Sequence, residues 1–209
     1  MRISILLFFC TFLFLFSCNK EDCDPSSDEQ FNQSFYPLTP GSMWVYQWYR
    51  VNPSGEEFIF DDKIDTVKIL KDTLINGDFY AKVWDLNSFE NNEPRIYYRR
   101  DSSVHLVDPN NNIFFSSSNF VDTLYQTINP SAFEVSYRMS IPSDPISTPL
   151  GIFDCLNFRG EVTPLIPTLW SERYLNHFYS KGVGLVMENT FFFSAEDDLQ
   201  RRLIEYHIE

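Results

Sequence analysis

An all-β fold, a curved antiparallel meander sheet or half-open barrel or sandwich, is predicted by three features of this 209-residue chain. From Phe35 onward apolar residues recur at every second position, the period of a strand with one buried face. The alternation breaks at clusters of Gly, Asn, Asp, Pro and Ser, the residues of turns. No stretch of helical length keeps a 3.6-residue apolar period, and parallel strand pairs would need crossovers of about a dozen residues that the short spacings do not provide. With 7 Gly and 4 Cys, the chain is neither collagen-like nor a disulfide-dense scaffold. Its 21 Phe, 11 Tyr and 4 Trp are too many for a disordered chain, and its length suits one domain.

The elements follow from the N-terminus. Arg2 precedes an apolar run, Ile3 to Phe16, interrupted only by Ser4, Cys10 and Thr11. That run fits a secretory signal and falls short of the roughly 20 apolar residues needed to span a bilayer. Leu15-Phe16-Ser17-Cys18 resembles the lipobox of bacterial lipoproteins, in the looser form of the Bacteroidetes. The resemblance implies cleavage after residue 17, with Cys18 carrying a diacylglycerol and acyl chains such as palmitate. Lys20-Glu21-Asp22 directly behind it resembles the lysine-plus-acidic export signal that sends such lipoproteins to the outer surface. Residues 18–34 are rich in Asp, Glu, Ser, Asn and Gln, and read as a flexible tether. The membrane is thus reached through the lipid anchor, outside the β domain of residues 35–209.

Within that domain, Met43 to Tyr49 follows the turn Pro40-Gly41. Asp65 to Leu74 is joined to Phe79 to Leu86 through Asn76-Gly77, whose tolerance of positive φ suits a tight hairpin. Further strands are expected at 96–100, 104–107, 113–116, 121–128, 133–141, 152–162, 173–180, 185–193 and 201–208. Turns fall at Asp101-Ser102-Ser103, Asp108 to Asn112, Asn129-Pro130 and Gly182-Val183-Gly184. Trp170, Tyr174 and Phe178 also fit one helix face.

Three segments carry a family resemblance. Phe35-Tyr36-Pro37-Leu38-Thr39-Pro40-Gly41-Ser42-Met43-Trp44-Val45-Tyr46 resembles the F-Y-P-L-x-x-G-x-x-W-x-Y opening of a group of uncharacterised bacterial surface lipoproteins. Thr148 to Cys155 is similar to its T-P-x-G-x-F strand opening, and Tyr179 to Val186 to its Y-x-K-G-V-G-L-V hairpin. These are packing and turn motifs, so the resemblance implies a β-sheet fold and no activity.

Chemistry is sparse by comparison. The balance of 29 Asp+Glu against 16 Lys+Arg, net −13, argues against nucleic acid, whose phosphates draw their affinity from Lys and Arg. No CxxC, HxxxH, G-x-S-x-G or Gly-rich phosphate loop is present, so neither metal nor cofactor is expected. His105, His177 and His207 read as ordinary strand residues. Asp108 to Asn112 opens like a calcium loop, but Ile113 and Asn119 stand where its Gly and Glu belong, and it reads as a turn. Cys23 and Cys155 are the one pair left for a disulfide, yet Cys23 sits in the tether and two unpaired thiols are expected. The acidic clusters Asp61, Asp62, Asp65 and Glu196, Asp197, Asp198 read as solvated loops; a carboxylate pair for sugar hydrolysis is defined in space, not in sequence. Thr66, Thr73 and Thr123 follow Asp and precede an aliphatic residue, resembling the O-glycosylation motif of Bacteroidetes envelope proteins.

Period two puts Trp44, Tyr46 and Trp48 on one face of the first strand. Such a ladder stacks a sugar or peptide, or it fills the core; with burial of a large aromatic worth several kcal/mol, core is the expectation. The reading that follows is a non-enzymatic lipoprotein of the outer membrane, exposed at the cell surface, binding a protein or glycan. A hydrolase with an acidic cleft and a passive envelope spacer are the alternatives. Mass spectrometry of the detergent-extracted protein should find Cys18 as a diacylated N-terminus. Replacing Lys20, Glu21 and Asp22 with Ala should remove the protein from the reach of protease added to intact cells.

Overall fold

A computed structural model of the protein describes residues 34–89, 93–142, 144–166, 173–192 and 195–209. Among these every regular element is a strand, fourteen in all: β1 Met43–Val51, β2 Glu57–Ile75, β3 Asp78–Leu86, β4 Pro94–Ser102, β5 His105–Val107, β6 Ile113–Ser116, β7 Tyr125–Asn129, β8 Phe133–Ser140, β9 Ile146–Thr148, β10 Gly151–Phe153, β11 Cys155–Pro164, β12 Arg173–Ser180, β13 Gly184–Phe191 and β14 Asp198–His207. Twelve form one antiparallel sheet in the order β6-β5-β4-β3-β2-β1-β14-β13-β12-β11-β8-β7, and β9 and β10 form a separate hairpin. The expected meander is present twice. One arm runs from β1 out to β6, the other from β14 back to β7, and the β1–β14 ladder joins them.

The sheet curls until its two edge strands face each other. Among the described residues no ladder joins β6 to β7; the rings of Phe114 and Tyr125 meet across the seam at 5.1 Å, making the sheet a nearly closed barrel. Aromatic contact covers two edges that would otherwise present unpaired backbone. Segment 34–38 packs over the interior: Tyr36 stands edge-on to Phe115 at 5.3 Å, and the Gly182 amide donates to the Ser34 carbonyl.

The β2–β3 hairpin turns where the sequence places it, with Asn76 at φ 52° and Gly77 at φ 92°, both central positions left-handed as a type I′ turn demands. Several boundaries differ. β2 starts eight residues before the expected Asp65, because Glu57 to Ile64 is exposed on both faces and carries no burial alternation. The expected strand 152–162 is divided at Asp154: Gly151–Phe153 pairs with Ile146–Thr148, and only Cys155–Pro164 joins the main sheet. The strand expected from Val121 begins at Tyr125, since Asn119 accepts the amides of Val121 and Asp122 and holds that stretch in a turn. Residues 173–180 are a strand paired on both sides, so Tyr174 and Phe178 do not share a helix face, and Trp170 lies outside the described residues.

Trp44, Tyr46 and Trp48 point inward and are buried, as are Val135, Val162, Val186 and Leu203 on other strands of the sheet. The alternation on β1 is broken at a bulge between Gln47 and Tyr49, where the Gln47 amide donates to the carbonyls of Phe60 and Lys63. Tyr49, outward by parity, is nonetheless buried beneath the Arg202 guanidinium, 4.5 Å above its ring. Truncating Trp44 or Trp48 to Ala should lower stability by about 3–5 kcal/mol through lost burial and an unfilled cavity. Thermal melts within a degree or two of the parent would contradict that placement.

Candidate functional site

The inward row of every strand in the main sheet reaches one interior cavity of about 710 Å³. Its wall is divided chemically. From β6 to β12 an aromatic arc runs strand by strand: Phe114, Tyr125, Tyr137, Phe158 and His177, with neighbouring ring centroids 4.8 to 6.0 Å apart. Tyr137 and Phe158 lie nearly parallel, at 11°. Gly160 makes that possible. A Cβ there would stand 2.6 Å from the Tyr137 ring, so only glycine lets this ring lie across β11.

Across the lumen stands a charged network centred on Arg201 of β14, 2% exposed. Its Nη2 donates to Asp85 at 2.9 Å and its Nη1 to Glu188 at 2.9 Å. Its Nε lies 3.0 Å from Asp65 as an ionic contact, the N–H not aligned for a hydrogen bond. The guanidinium covers the Tyr46 ring at 4.5 Å. Asp65, wholly buried, also accepts the Trp48 indole N–H at 2.7 Å and both the amide and hydroxyl of Ser88. Arg95 holds the second oxygen of Asp85 at 3.1 Å. His177 Nδ1 sits 3.2 Å from the Phe158 carbonyl, which can only accept, so Nδ1 bears a proton and Nε2 faces Glu188 at 3.7 Å.

Burial works to raise the Glu188 carboxyl, but Arg201 and then His177 outweigh it and hold Glu188 below its ordinary 4.5. Burial pushes the phenols of Tyr46, Tyr97 and Tyr179 well up, and that of Tyr137 to about 12. The lumen therefore offers, near neutrality, fixed carboxylates already bound to guanidinium, un-ionised hydroxyls and ring faces. That set is equipped to bind and orient. Glu188 is shifted away from the protonated form that a general acid near neutrality uses.

Of the residues singled out in the sequence, Trp44 and Tyr46 line the lumen and donate to the carbonyls of Val183 and Leu185. Trp48 lies beside them, turned to Asp65. The reading of the acidic clusters as solvated loops is corrected: Asp61, Asp62 and Asp65 lie within β2, the first two exposed and Asp65 buried, and Asp198 opens β14 half-buried. Cys18, Lys20, Glu21, Asp22 and Cys23 fall outside the described residues. Cys155 has no disulfide partner among the described residues; burial, then Asp154, pushes its thiol up to about 12. The Asp108 carboxylate is occupied by the amides of Asn110 and Asn112, as in a turn. No group of His, Cys, Asp and Glu able to hold a metal occurs among the described residues. Of the three threonines, Thr123 is exposed, Thr66 is half-buried and the Thr73 hydroxyl is buried without a partner.

Sequence reasoning missed Asp85, Arg99, His177, Glu188 and Arg201. The available signal was parity. On β14, Leu199, Arg201 and Leu203 share a face, and a charge flanked at two-residue spacing by core aliphatics marks a buried partner opposite.

No family model matches the chain, and no curated protein matches it in sequence. Two solved structures are similar. One, from Bacteroides fragilis, is described as an exported protein with a YmcC-like fold, at 12% identity over 84% of this chain and 100% of that chain, TM-score 0.49. The other is described as a lipoprotein of Parabacteroides distasonis, at 12% identity over 84% and 99%, TM-score 0.45. Both organisms belong to the Bacteroidetes.

Removing the guanidinium in Arg201→Met should cost about 3–5 kcal/mol, because three buried carboxylates lose their common partner. The pH response should also flatten. The native Glu188 binds its proton more weakly than the unfolded residue, so its contribution is complete above pH 4.5 and lost as pH falls below. In the variant burial of Glu188 is opposed only by His177 and Arg95, so its carboxyl binds a proton more strongly than in the parent, and acidification from pH 7 to pH 5 should cost less stability than it does in the parent. Urea melts across that range check the sign.

Proposed function

We propose that the protein is a lipid-anchored, surface-exposed lipoprotein of the outer membrane whose barrel binds a small ligand in its lumen without transforming it. The observation that carries the reading is the lumen itself: a cavity of about 710 Å³ walled by stacked rings on one side and an ion-paired network on the other. Pockets of roughly 300–1,000 Å³ with mostly apolar walls and a few oriented polar groups are typical of small-molecule sites. A passive spacer has no need of an unfilled interior, since close packing of the same side chains would be more stable. Hydrolysis calls for a carboxyl kept protonated near neutrality, and the shift at Glu188 runs the other way. Location rests on the lipobox-like Leu15 to Cys18 and the acidic export signal behind it.

The mature chain carrying Cys18→Ser, which needs no detergent, should take up the uncharged fluorophore N-phenyl-1-naphthylamine at one saturable site. Val67→Trp, which fills the lumen from β2, should abolish that uptake while leaving a cooperative melt. Absence of uptake, or uptake unaffected by Val67→Trp, would remove the basis for the reading.

A further inference from the structure

Arg99 is the cation of the lumen wall with no carboxylate in contact. Arg201 is held by three acids and Arg95 by Asp85, whereas among the described residues Arg99 has no acidic group within ion-pair distance. Its guanidinium lies over Phe114, 3.8 Å from the ring centroid, and over Tyr97 at 4.6 Å. One N–H, on Nη1, is taken by the Tyr98 carbonyl at 3.0 Å. Ring contacts use the flat faces of a guanidinium, while hydrogen bonds leave from its edge, where five donors lie in one plane. Arg99 thus keeps most of that edge unspent at the point where the aromatic arc begins. Three guanidiniums and two carboxylates line the lumen, and counting Asp65 behind Arg201 the interior is neutral within a chain of net −13. The three acids are gathered on Arg201 and Arg95, which leaves Arg99 as the lining cation without a contact acid.

Resting on the lumen as a ligand site, we infer that the ligand is a small planar aromatic molecule bearing a single oxyanion, its ring stacked along Tyr137 and Phe158 and its anionic group held by the edge of Arg99. A carboxylate matches that edge with two parallel N–H···O bonds; a sulfonate or phosphate ester offers the same oxygens. An uncharged ring would leave Arg99 unsatisfied once water is displaced, and an anion without a ring would leave the arc uncovered. Two well-separated anionic groups do not fit either, because Glu188 and Asp85 face the remaining polar wall.

The test uses the same Cys18→Ser chain and two competitors of one shape, 2-naphthoate and 2-naphthalenemethanol, displacing bound N-phenyl-1-naphthylamine. The carboxylate should compete at concentrations about tenfold lower than the alcohol or better, the usual margin of a charge-assisted bond. In Arg99→Gln that preference should vanish, each competitor being read against the fluorophore's own affinity for the variant. In Arg99→Lys, which keeps the charge without the planar fork, part of it should survive. Equal competition by the two naphthalenes in the parent chain, or a preference untouched in Arg99→Gln, would overturn the inference and leave the lumen reading standing. The competitor comparison needs no variant to fold, and failure of the fluorophore to bind at all would sink the lumen reading first.

Discussion

One buried cation ties the two arms of this sheet together. Arg201 projects from β14, and its contacts lie on β13 (Glu188), β1 (Tyr46), β2 (Asp65) and β3 (Asp85). Those five strands are consecutive in the sheet and straddle the β1–β14 ladder, the one place where the meander from the N-terminal half meets the meander from the C-terminal half. Such a network contributes little net stability, because desolvating four charges offsets much of their attraction. What it supplies is register. A slip of one residue between β14 and β1 would turn Arg201 outward, leaving Asp65 buried without a cation and Asp85 with Arg95 alone, a penalty no apolar pair imposes.

That constraint also explains why the interior is not filled. With the guanidinium fixed among three carboxylates, the wall on that side is polar and cannot close against the aromatic arc opposite without burying ring faces on charge that is already satisfied. The arc is rigid for its own reasons. Tyr137 lies flat because Gly160 has no side chain beneath it, Phe158 stacks on Tyr137, and Phe114 is held between the seam and Arg99. Two preorganised walls of unlike chemistry, held apart by a nearly closed ring of strands, leave a cavity as their geometric remainder. A site built this way loses little entropy on binding, since its side chains are ordered beforehand.

The sequence was most legible where a single local rule decides the outcome. Asn76-Gly77 needs two left-handed residues and obtains them; β12 keeps a strand period between two partners; Trp44, Tyr46 and Trp48 share a parity and a core. Reading failed where the signal is non-local. Glu57 to Ile64 is a strand because β1 offers it an edge, not because its own residues alternate. Asp65 looks like its acidic neighbours Asp61 and Asp62, and only the arrival of Arg201, 136 positions later, makes it a core residue. The lumen was invisible for the same reason, as its wall takes residues from every strand of the main sheet and none of them forms a motif.

Charge is sorted by face in a way that bears on what can enter. The chain carries net −13 while its interior, Asp65 included, is neutral, so the acidic excess is not in the lumen wall. An approaching anion meets repulsion over about a Debye length, roughly 8 Å at physiological ionic strength, before it reaches Arg99. The repulsion grows with the number of charges on the ligand, whereas the attraction inside is limited to one guanidinium edge. Burial of a ring against the arc adds a term of about 25 cal/mol per Å² that is indifferent to the field outside. A polyanion therefore loses at the entrance more than it regains within, and a neutral ring gains nothing from Arg99. Between them lies the monoanion with an apolar body, the one class for which the outer surface and the inner wall do not work against each other.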